Sequence, residues 1–402
     1  MSTSENNPAS LTARPALVSP SGGSAAGDLL RTGYIISPRS DFVWFLGLPF
    51  VAIGVALICH QWLPLMALAS IGLWITIPHH FATWLRTYGL QEDWDRWKLP
   101  LIYGPVAVMA VTFLGIRYAP ATLLLITLLW DHQHSVMQQY GLARIYDVKA
   151  RTGGSHGARF DFRLNWVLYG NMLLTAPLFV RLWGAEAYRW SLPISTQTLV
   201  WIQNGSYTLT VLFLGFYVWN LFRCLQASQS LNPIKYLFMG SSYFLWYFTS
   251  WQTDSLLAFG VAHRLMHGVQ YMVFVNSYLG RKSQRNDSFT HDSGQQRSWS
   301  ERIRESLLKL LRSRRTITFV ALGVLYVLFY QLLLLRPLDE LGFGIVNFMG
   351  VGPQPRPGMS DVSRATAYDL FAITLIQALP VTHYYFDSFI WKVRDAKVQQ
   401  GL

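Results

Sequence analysis

The chain has 402 residues, of which 51% are hydrophobic and only 13% are charged, and its formal net charge is +12. Soluble domains average about 25% charged residues, so the composition argues against an ordinary soluble protein and favours an integral membrane protein. The two cysteines, Cys59 and Cys224, stand alone in the sequence. Their isolation excludes a disulfide framework and a CxxC metal site.

The opening stretch up to residue 28 is rich in Ser, Pro, Gly and Ala and contains no apolar run. Such a composition is typical of disorder, and it lacks the apolar centre of a signal peptide. We therefore predict a disordered cytoplasmic N-terminal tail over residues 1–40.

Apolar segments follow that each approach the roughly 20 residues needed to cross about 30 Å of hydrocarbon. They predict an all-α fold, a polytopic integral-membrane helical bundle of about ten transmembrane helices. The sequence shows no internal repeat, which disfavours an inverted-repeat transporter. The approximate spans are 42–60, 62–84, 99–117, 119–138, 164–182, 199–222, 236–252, 255–278, 316–335 and 365–386.

The distribution of Lys and Arg predicts the orientation, because cytoplasmic loops retain positive charge. With the N-terminus inside, the cytoplasmic segments hold 26 of the 33 basic residues. We expect an integral protein of a bacterial inner membrane with both termini in the cytoplasm. The predicted parts are the N-terminal tail 1–40, helices 1–8 over 41–279, a basic cytoplasmic loop 280–315, helices 9–10 over 316–387 and a C-terminal tail 388–402.

The basic loop contains the segment ERIRESLLKLLRSRR, residues 301–315. Its pattern predicts an amphipathic helix on the cytoplasmic membrane surface, and a solvated helical linker is an equal alternative. Topology and attraction to anionic membrane lipids account for the positive net charge without a nucleic-acid partner.

Seven of the ten histidines fall into four short boxes: PHHFATWLRTY, DHQH, HRLMHGVQY and HYYFDSFIWK. All four boxes belong to even-numbered helices, which share one direction across the membrane. Because a helix rises 1.5 Å per residue, the boxes can meet in the cytoplasmic half of the bilayer. Ionisable groups there are costly and face cavities or partners. We predict a shared metal site formed by His79, His80, His132, His134, His263, His267 and His383.

Helical spacing separates ligands from supporting groups. His263 and His267 are four residues apart and project from one helix face, as a metal pair requires, and Gln270 continues that face. His383 and Asp387 repeat this spacing. Metal-bound imidazoles usually need partners that fix their orientation. The predicted supporting groups or additional ligands are Asp131, Gln138, Gln270 and Asp387.

The boxes HRLMH, HH and HQH, together with their cytosolic placement, resemble those of the integral-membrane histidine-box non-haem iron enzymes. That class includes fatty-acyl desaturases and hydroxylases and the Brp/Blh-type carotene dioxygenases. The resemblance covers about forty residues, and the HxxHH boxes of desaturases are absent. It implies an O₂-activating non-haem site with one or two irons. From its predicted position in the inner half of the bilayer, we expect a lipid or isoprenoid substrate that enters laterally and an electron donor in the cytosol.

Other functions stay open at this point. A membrane zinc hydrolase would need three histidines and an activated water. A bis-histidine haem protein fits four boxes at one depth poorly, and a transporter would use histidines as a proton relay. Arg86 and Arg264, beside their boxes, are candidates for binding a substrate headgroup, and Arg86 is equally a candidate interfacial anchor. His60, His156 and His291 are left out of the site.

Overall fold

The computed structural model describes residues 29–253, 255–286, 299, 302, 306, 315–330, 367–393 and 395–402. Within these residues the chain is helical and contains no strand, which confirms the predicted all-α class. The first 28 residues of the predicted tail lie outside the described residues. So does almost all of the predicted amphipathic helix over 301–315.

The described residues form long helices joined by short connections. A π-helical stretch, Phe42–Gly47, interrupts the first of them. In chain order the helices are α1 (Pro38–Trp62), α2 (Leu65–Gly89), α3 (Gln91–Tyr118), α4 (Pro120–Ala150), α5 (Ser155–Thr175), α6 (Pro177–Arg189), α7 (Thr196–Gln226), α8 (Pro233–Gln252), α9 (Leu256–Asn286), α10 (Arg315–Tyr330), α11 (Ala367–Ile390) and α12 (Ala396–Gln399).

Three of the described helices, α1, α3 and α7, are long and apolar enough to cross a membrane, and the apolar helix Thr316–Tyr330 is shorter. Only 33%, 17% and 11% of their most apolar windows are buried inside the protein. Their apolar side chains therefore face outward, as membrane contact requires. These three helices support membrane association, and the count of about ten spans is not confirmed.

Two of the other predicted spans depart from a single uninterrupted apolar helix. In α4 the apolar run ends at Trp130, and the helix continues through DHQH to Ala150. The predicted span 164–182 is divided, because α5 ends at Thr175 and Pro177 begins α6. Proline favours the first turn of a helix, where its missing N–H costs nothing.

Close packing of α9 against α2 positions two of the histidine boxes. Gly268 lies at this contact, and a Cβ atom there would come within 3.3 Å of Ile75 and 3.5 Å of His79. The missing side chain lets the two helix backbones approach. His267, adjacent to Gly268, is thereby brought beside His79.

Both ends of the described chain fold back onto the bundle. The carboxylate of Asp41 accepts hydrogen bonds from the backbone N–H of Ile35 (2.7 Å) and of Ile36 (3.0 Å), so this end of the predicted 1–40 tail is packed. At the other end, Val398 is buried and Lys149 Nζ donates to the Leu402 carbonyl at 2.5 Å. The predicted C-terminal tail therefore forms part of the bundle surface.

A buried ion cluster joins α4, α5 and α8. Lys235 Nζ lies 3.1 Å from Asp147 Oδ2 and 3.0 Å from Asp161 Oδ2. Arg144 contacts Asp147 at 2.5 Å, and Tyr217 donates to Asp161 at 2.6 Å. Burial opposes the charge on Lys235, but the Asp161 and Asp147 carboxylates outweigh it and raise the pKa of Lys235. Two cations thus balance two carboxylates.

Candidate metal centre

Four buried histidines from four separate helices meet at one point. They are His79 on α2, His134 on α4, His267 on α9 and His383 on α11, and one ligand atom from each lies within 4.8 Å of the others. Donor atoms on opposite sides of an ion are about 4.2 Å apart, since each metal–nitrogen bond is about 2.1 Å, so a small inward shift of the side chains would close the group around one ion. The group could therefore hold one metal ion.

The hydrogen bonding of these imidazoles fits a metal. Among the described residues, neither ring nitrogen of His79 or of His267 has a hydrogen-bond partner, and the same holds for Nε2 of His134 and of His383. Buried polar atoms are normally paired. A shared ion would use one lone pair from each imidazole, and metal-free imidazoles would leave these lone pairs unsatisfied.

One histidine of the group is held by a polar chain on its far side. Thr83 Oγ1 lies 2.6 Å from His383 Nδ1 and 2.7 Å from the Tyr271 hydroxyl. With Nδ1 engaged in this way, His383 presents Nε2 to the centre. Such contacts fix the tautomer and the ring orientation of a ligating histidine.

Asp387 lies at the edge of the group, where the sequence predicted a support or an additional ligand. Its Oδ2 is 3.6 Å from His134 Nε2 and 3.9 Å from His383 Nε2. Its Oδ1 accepts a hydrogen bond from the Tyr271 hydroxyl at 2.9 Å. Oδ2 has no hydrogen-bond partner among the described residues, so Asp387 is placed to become a further ligand.

Two other predicted site residues adjoin the group without entering it. His80 is buried, with its ring 5.2 Å from that of His383. Gln138 donates from Nε2 to the backbone carbonyl of His267 at 3.2 Å, which supports the backbone at a ligand.

His263 is not brought into the group of four, although its spacing from His267 suggested a ligand pair. Its Nδ1 accepts a hydrogen bond from the Trp246 indole at 3.0 Å, and its Nε2 lies 2.9 Å from Ser135 Oγ. Both nitrogens are therefore occupied. In this structure His263 supports the neighbouring helices.

His132 also lies outside the group, in an aromatic cage. Its ring stacks on Tyr169 at 5.4 Å and contacts Phe179, Trp246 and Phe259. Neither of its nitrogens has a hydrogen-bond partner among the described residues. The divergence of His132 and His134 around α4 explains why only His134 reaches the centre.

The remaining predicted site residues lie further away. Gln270 accepts from Gln139 at 2.7 Å and donates to the Phe45 carbonyl at 3.1 Å, away from the four histidines. Asp131 lies 3.8 Å from His263 Nε2 and also hydrogen-bonds with Tyr384. Arg264 is near enough to interact with the charge of Asp131.

Arg86 is fully buried, pairs with Asp93 and lies over the rings of Tyr278 and Trp391. Binding a substrate headgroup there would require this arrangement to open. The headgroup role of Arg86 and Arg264 stays a prediction.

A cavity of about 870 Å³ reaches the centre from one side. It is bounded by α4, the start of α5, α9, α11 and the C-terminal segment, and its walls are mainly apolar. His134, Tyr384 and Asp387 form its wall at the metal centre. The cavity can therefore bring an apolar molecule beside the four histidines.

The sequence did not reveal the supporting roles of Thr83 and Tyr271 at the metal centre. Thr83 follows His79 by four residues, and Tyr271 follows His267 by four. Each continues the helix face of a histidine, so extending those faces by one turn would have found them.

Comparison of the chain with protein-family models, curated proteins and solved structures finds no match. The geometry shows that four buried histidines could bind a metal ion, and it leaves the identity of the metal open.

Proposed function

We propose that the protein is an integral-membrane metalloenzyme, a non-haem iron oxidoreductase that acts on a lipid or isoprenoid substrate. The observation that carries the proposal is the meeting of four buried imidazoles beside a mainly apolar cavity. Each imidazole has a ring nitrogen without a hydrogen-bond partner among the described residues. The described helices supply the four histidines from distant parts of the sequence.

The donor set favours a redox metal. Imidazole ligands suit iron, zinc, copper and nickel, whereas catalytic zinc takes three protein ligands and an open position. Four imidazoles with Asp387 beside them exceed that number, and a closed zinc site would not need a substrate cavity. The single group of four favours one metal ion over two.

The chain's own residues would have distinct tasks. His79, His134, His267 and His383 hold the ion, while Thr83 orients His383 and Tyr271 orients Asp387. Burial of the four imidazoles limits the access of water to the ion. Bound iron would supply O₂ activation, which attack on an unactivated C–H bond requires and side chains alone cannot provide.

Elemental analysis of the detergent-purified protein, together with its optical spectrum, tests the proposal. We expect close to one iron per chain and no haem absorption band. His79→Ala should lose the iron, and His156→Ala should keep it, because His156 is exposed and remote from the group in sequence. Stoichiometric zinc would favour the hydrolase instead. If the protein contained no metal after anaerobic preparation, the histidines would instead act as a proton relay or as structural groups.

The cellular setting is part of the proposal. We infer a bacterial inner membrane with both termini in the cytoplasm from the asymmetry of basic residues. A cytosolic electron donor would supply the reducing equivalents that O₂ activation consumes. Membrane lipids are the expected surroundings, and no nucleic-acid partner is required.

A further inference from the structure

One face of α4 lines the cavity beside the metal centre over several helical turns. His134, Met137, Gly141, Ile145 and Val148 all line it, and their spacing of three or four residues places them on a single helix face. From His134 to Val148 the helix rises about 21 Å. The wall is therefore long enough for an extended chain molecule.

The walls of the cavity are mainly apolar, and neither of the two basic residues on them, Arg144 and Lys392, offers a free partner for an anionic end near the centre. A metal ion held there by neutral imidazoles would repel a cationic end. Arg144, further along, is already paired with Asp147 at 2.5 Å and donates to the Gly153 carbonyl at 2.7 Å. Lys392, also on the wall, is exposed.

Gly141 lies halfway along this face, about 10 Å from His134 along the helix. A Cβ atom at Gly141 would meet no atom within 4 Å. A side chain at this position would therefore project into the open space of the cavity. Glycine in a helix interior costs about 1 kcal/mol relative to alanine, so local helix stability does not explain its presence.

We propose that the cavity binds one uncharged, elongated apolar chain along α4, with its inner end at His134 and Asp387, and that Gly141 determines how long a chain fits. The identification of this ligand as the substrate rests on the proposed metalloenzyme function. Binding of a ligand in the cavity does not depend on that function, because protein side chains alone form the cavity walls.

Photolabelling of the full chain in lipid nanodiscs tests the proposal. The probes are an octane and an octadecane that each carry a diazirine, and labelled peptides are mapped by mass spectrometry. With the wild type, octadecane should label α4 on both sides of Gly141 and the C-terminal wall near Leu402. With Gly141→Trp, its labelling beyond residue 141 should fall at least tenfold, while octane labelling near Met137 persists.

Gly205→Trp on α7 is the matched control, because Gly205 is exposed and its Cβ would also meet no atom within 4 Å. Its labelling pattern should equal that of the wild type. Equal octadecane labelling in Gly141→Trp, or labelling spread over α7 as strongly as over α4, would overturn the proposal. If a diazirine-carrying octadecanoate labelled the cavity and the octadecane probe did not, the proposal that the ligand is uncharged would be wrong.

Labelling is measured on metal-free and metal-loaded protein in parallel. A normal labelling pattern in a protein that binds no iron would contradict the proposed function and leave the cavity assignment standing. Iron binding with no labelling in the cavity would support the metal site and contradict the cavity assignment.

Discussion

Thr83 Oγ1 lies 2.6 Å from His383 Nδ1, across the contact between α2 and α11. The same hydroxyl is 2.7 Å from the Tyr271 hydroxyl, so one threonine connects three of the four helices that supply the histidines. This contact leaves Nε2 as the only nitrogen of His383 available to a metal.

Thr83→Val should weaken metal binding without removing any ligand. Valine has the shape of threonine and lacks the hydroxyl, so His383 would lose the partner that fixes its tautomer and orientation. Loss of such support typically costs about 10- to 100-fold in metal affinity. Competition with a chelator of known affinity measures the change.

Thr87→Val is the matched control for that experiment. Thr87 is buried on the same helix, one turn away, and within the described chain its hydroxyl bonds only to backbone carbonyls of α2. Its metal affinity should equal that of the wild type. An equal loss in both variants would mean that Thr83 acts through the stability of α2.

His267→Ala and His263→Ala should behave differently, although the two residues share a helix face. His267 contributes an unpaired nitrogen to the group of four, so its loss should lower metal affinity by at least about 10- to 100-fold. His263→Ala should retain near-stoichiometric metal and lose stability, since Trp246 and Ser135 lose their partner. Metal content and thermal unfolding of the two variants are measured together.

Greater loss of metal in His263→Ala than in His267→Ala would contradict this assignment and favour His263 as a ligand, as its helical spacing suggested. If His263→Ala lost the metal and His267→Ala kept it, the ligand set would centre on the other turn of α9. Wild-type metal content in both variants would remove α9 from the site.

The sequence predicted the helical class and the convergence of the histidine boxes, because both depend on local pattern. Apolar runs of helical length indicate helices, and clustered histidines within them indicate a shared site. The sequence could not distinguish the histidines that bind the metal from those that support neighbouring helices. His263 and His267 have the same spacing on one helix, and only the position of Trp246 on α8 gives His263 another partner.

The number of membrane spans was harder to predict for a related reason. Hydropathy does not distinguish an apolar residue that faces lipid from one that faces a neighbouring helix. In α4 the apolar run ends at Trp130 and buried polar residues such as Ser135, Gln139 and Asp147 follow. The sequence also could not predict the buried cluster around Lys235, because the partners of this lysine come from α4 and α5, which are distant in the sequence.

His132→Phe should stabilise the protein and leave its metal content unchanged. The imidazole is buried in an aromatic cage, and within the described chain neither nitrogen has a hydrogen-bond partner. An unpaired buried polar group costs about 1–3 kcal/mol, and phenyl has no such group. Thermal unfolding in detergent should show a higher midpoint than the wild type. A lower midpoint, or loss of metal, would show that the imidazole nitrogens of His132 are used.

Lys235→Met should destabilise the protein strongly, because Asp147 and Asp161 would be left buried without their shared cation. Breaking a buried ion pair by removing one partner typically costs about 3–5 kcal/mol. Denaturant unfolding in detergent measures the loss. Lys98→Met, which removes an exposed lysine, should change the unfolding free energy by less than about 0.5 kcal/mol.

The pH dependence of the Lys235 effect follows from its raised pKa. A group whose pKa is raised on folding contributes its full stabilisation below its ordinary pKa, about 10.4 for lysine, and loses it only as the pH rises through the folded value. The difference between wild type and Lys235→Met should therefore stay constant from about pH 6 to about pH 9. Adding Asp161→Asn to Lys235→Met should recover part of the loss, because it removes one of the two unpaired carboxylates. A double variant less stable than Lys235→Met alone would show that Asp161 is held mainly by Tyr217 and not by the lysine.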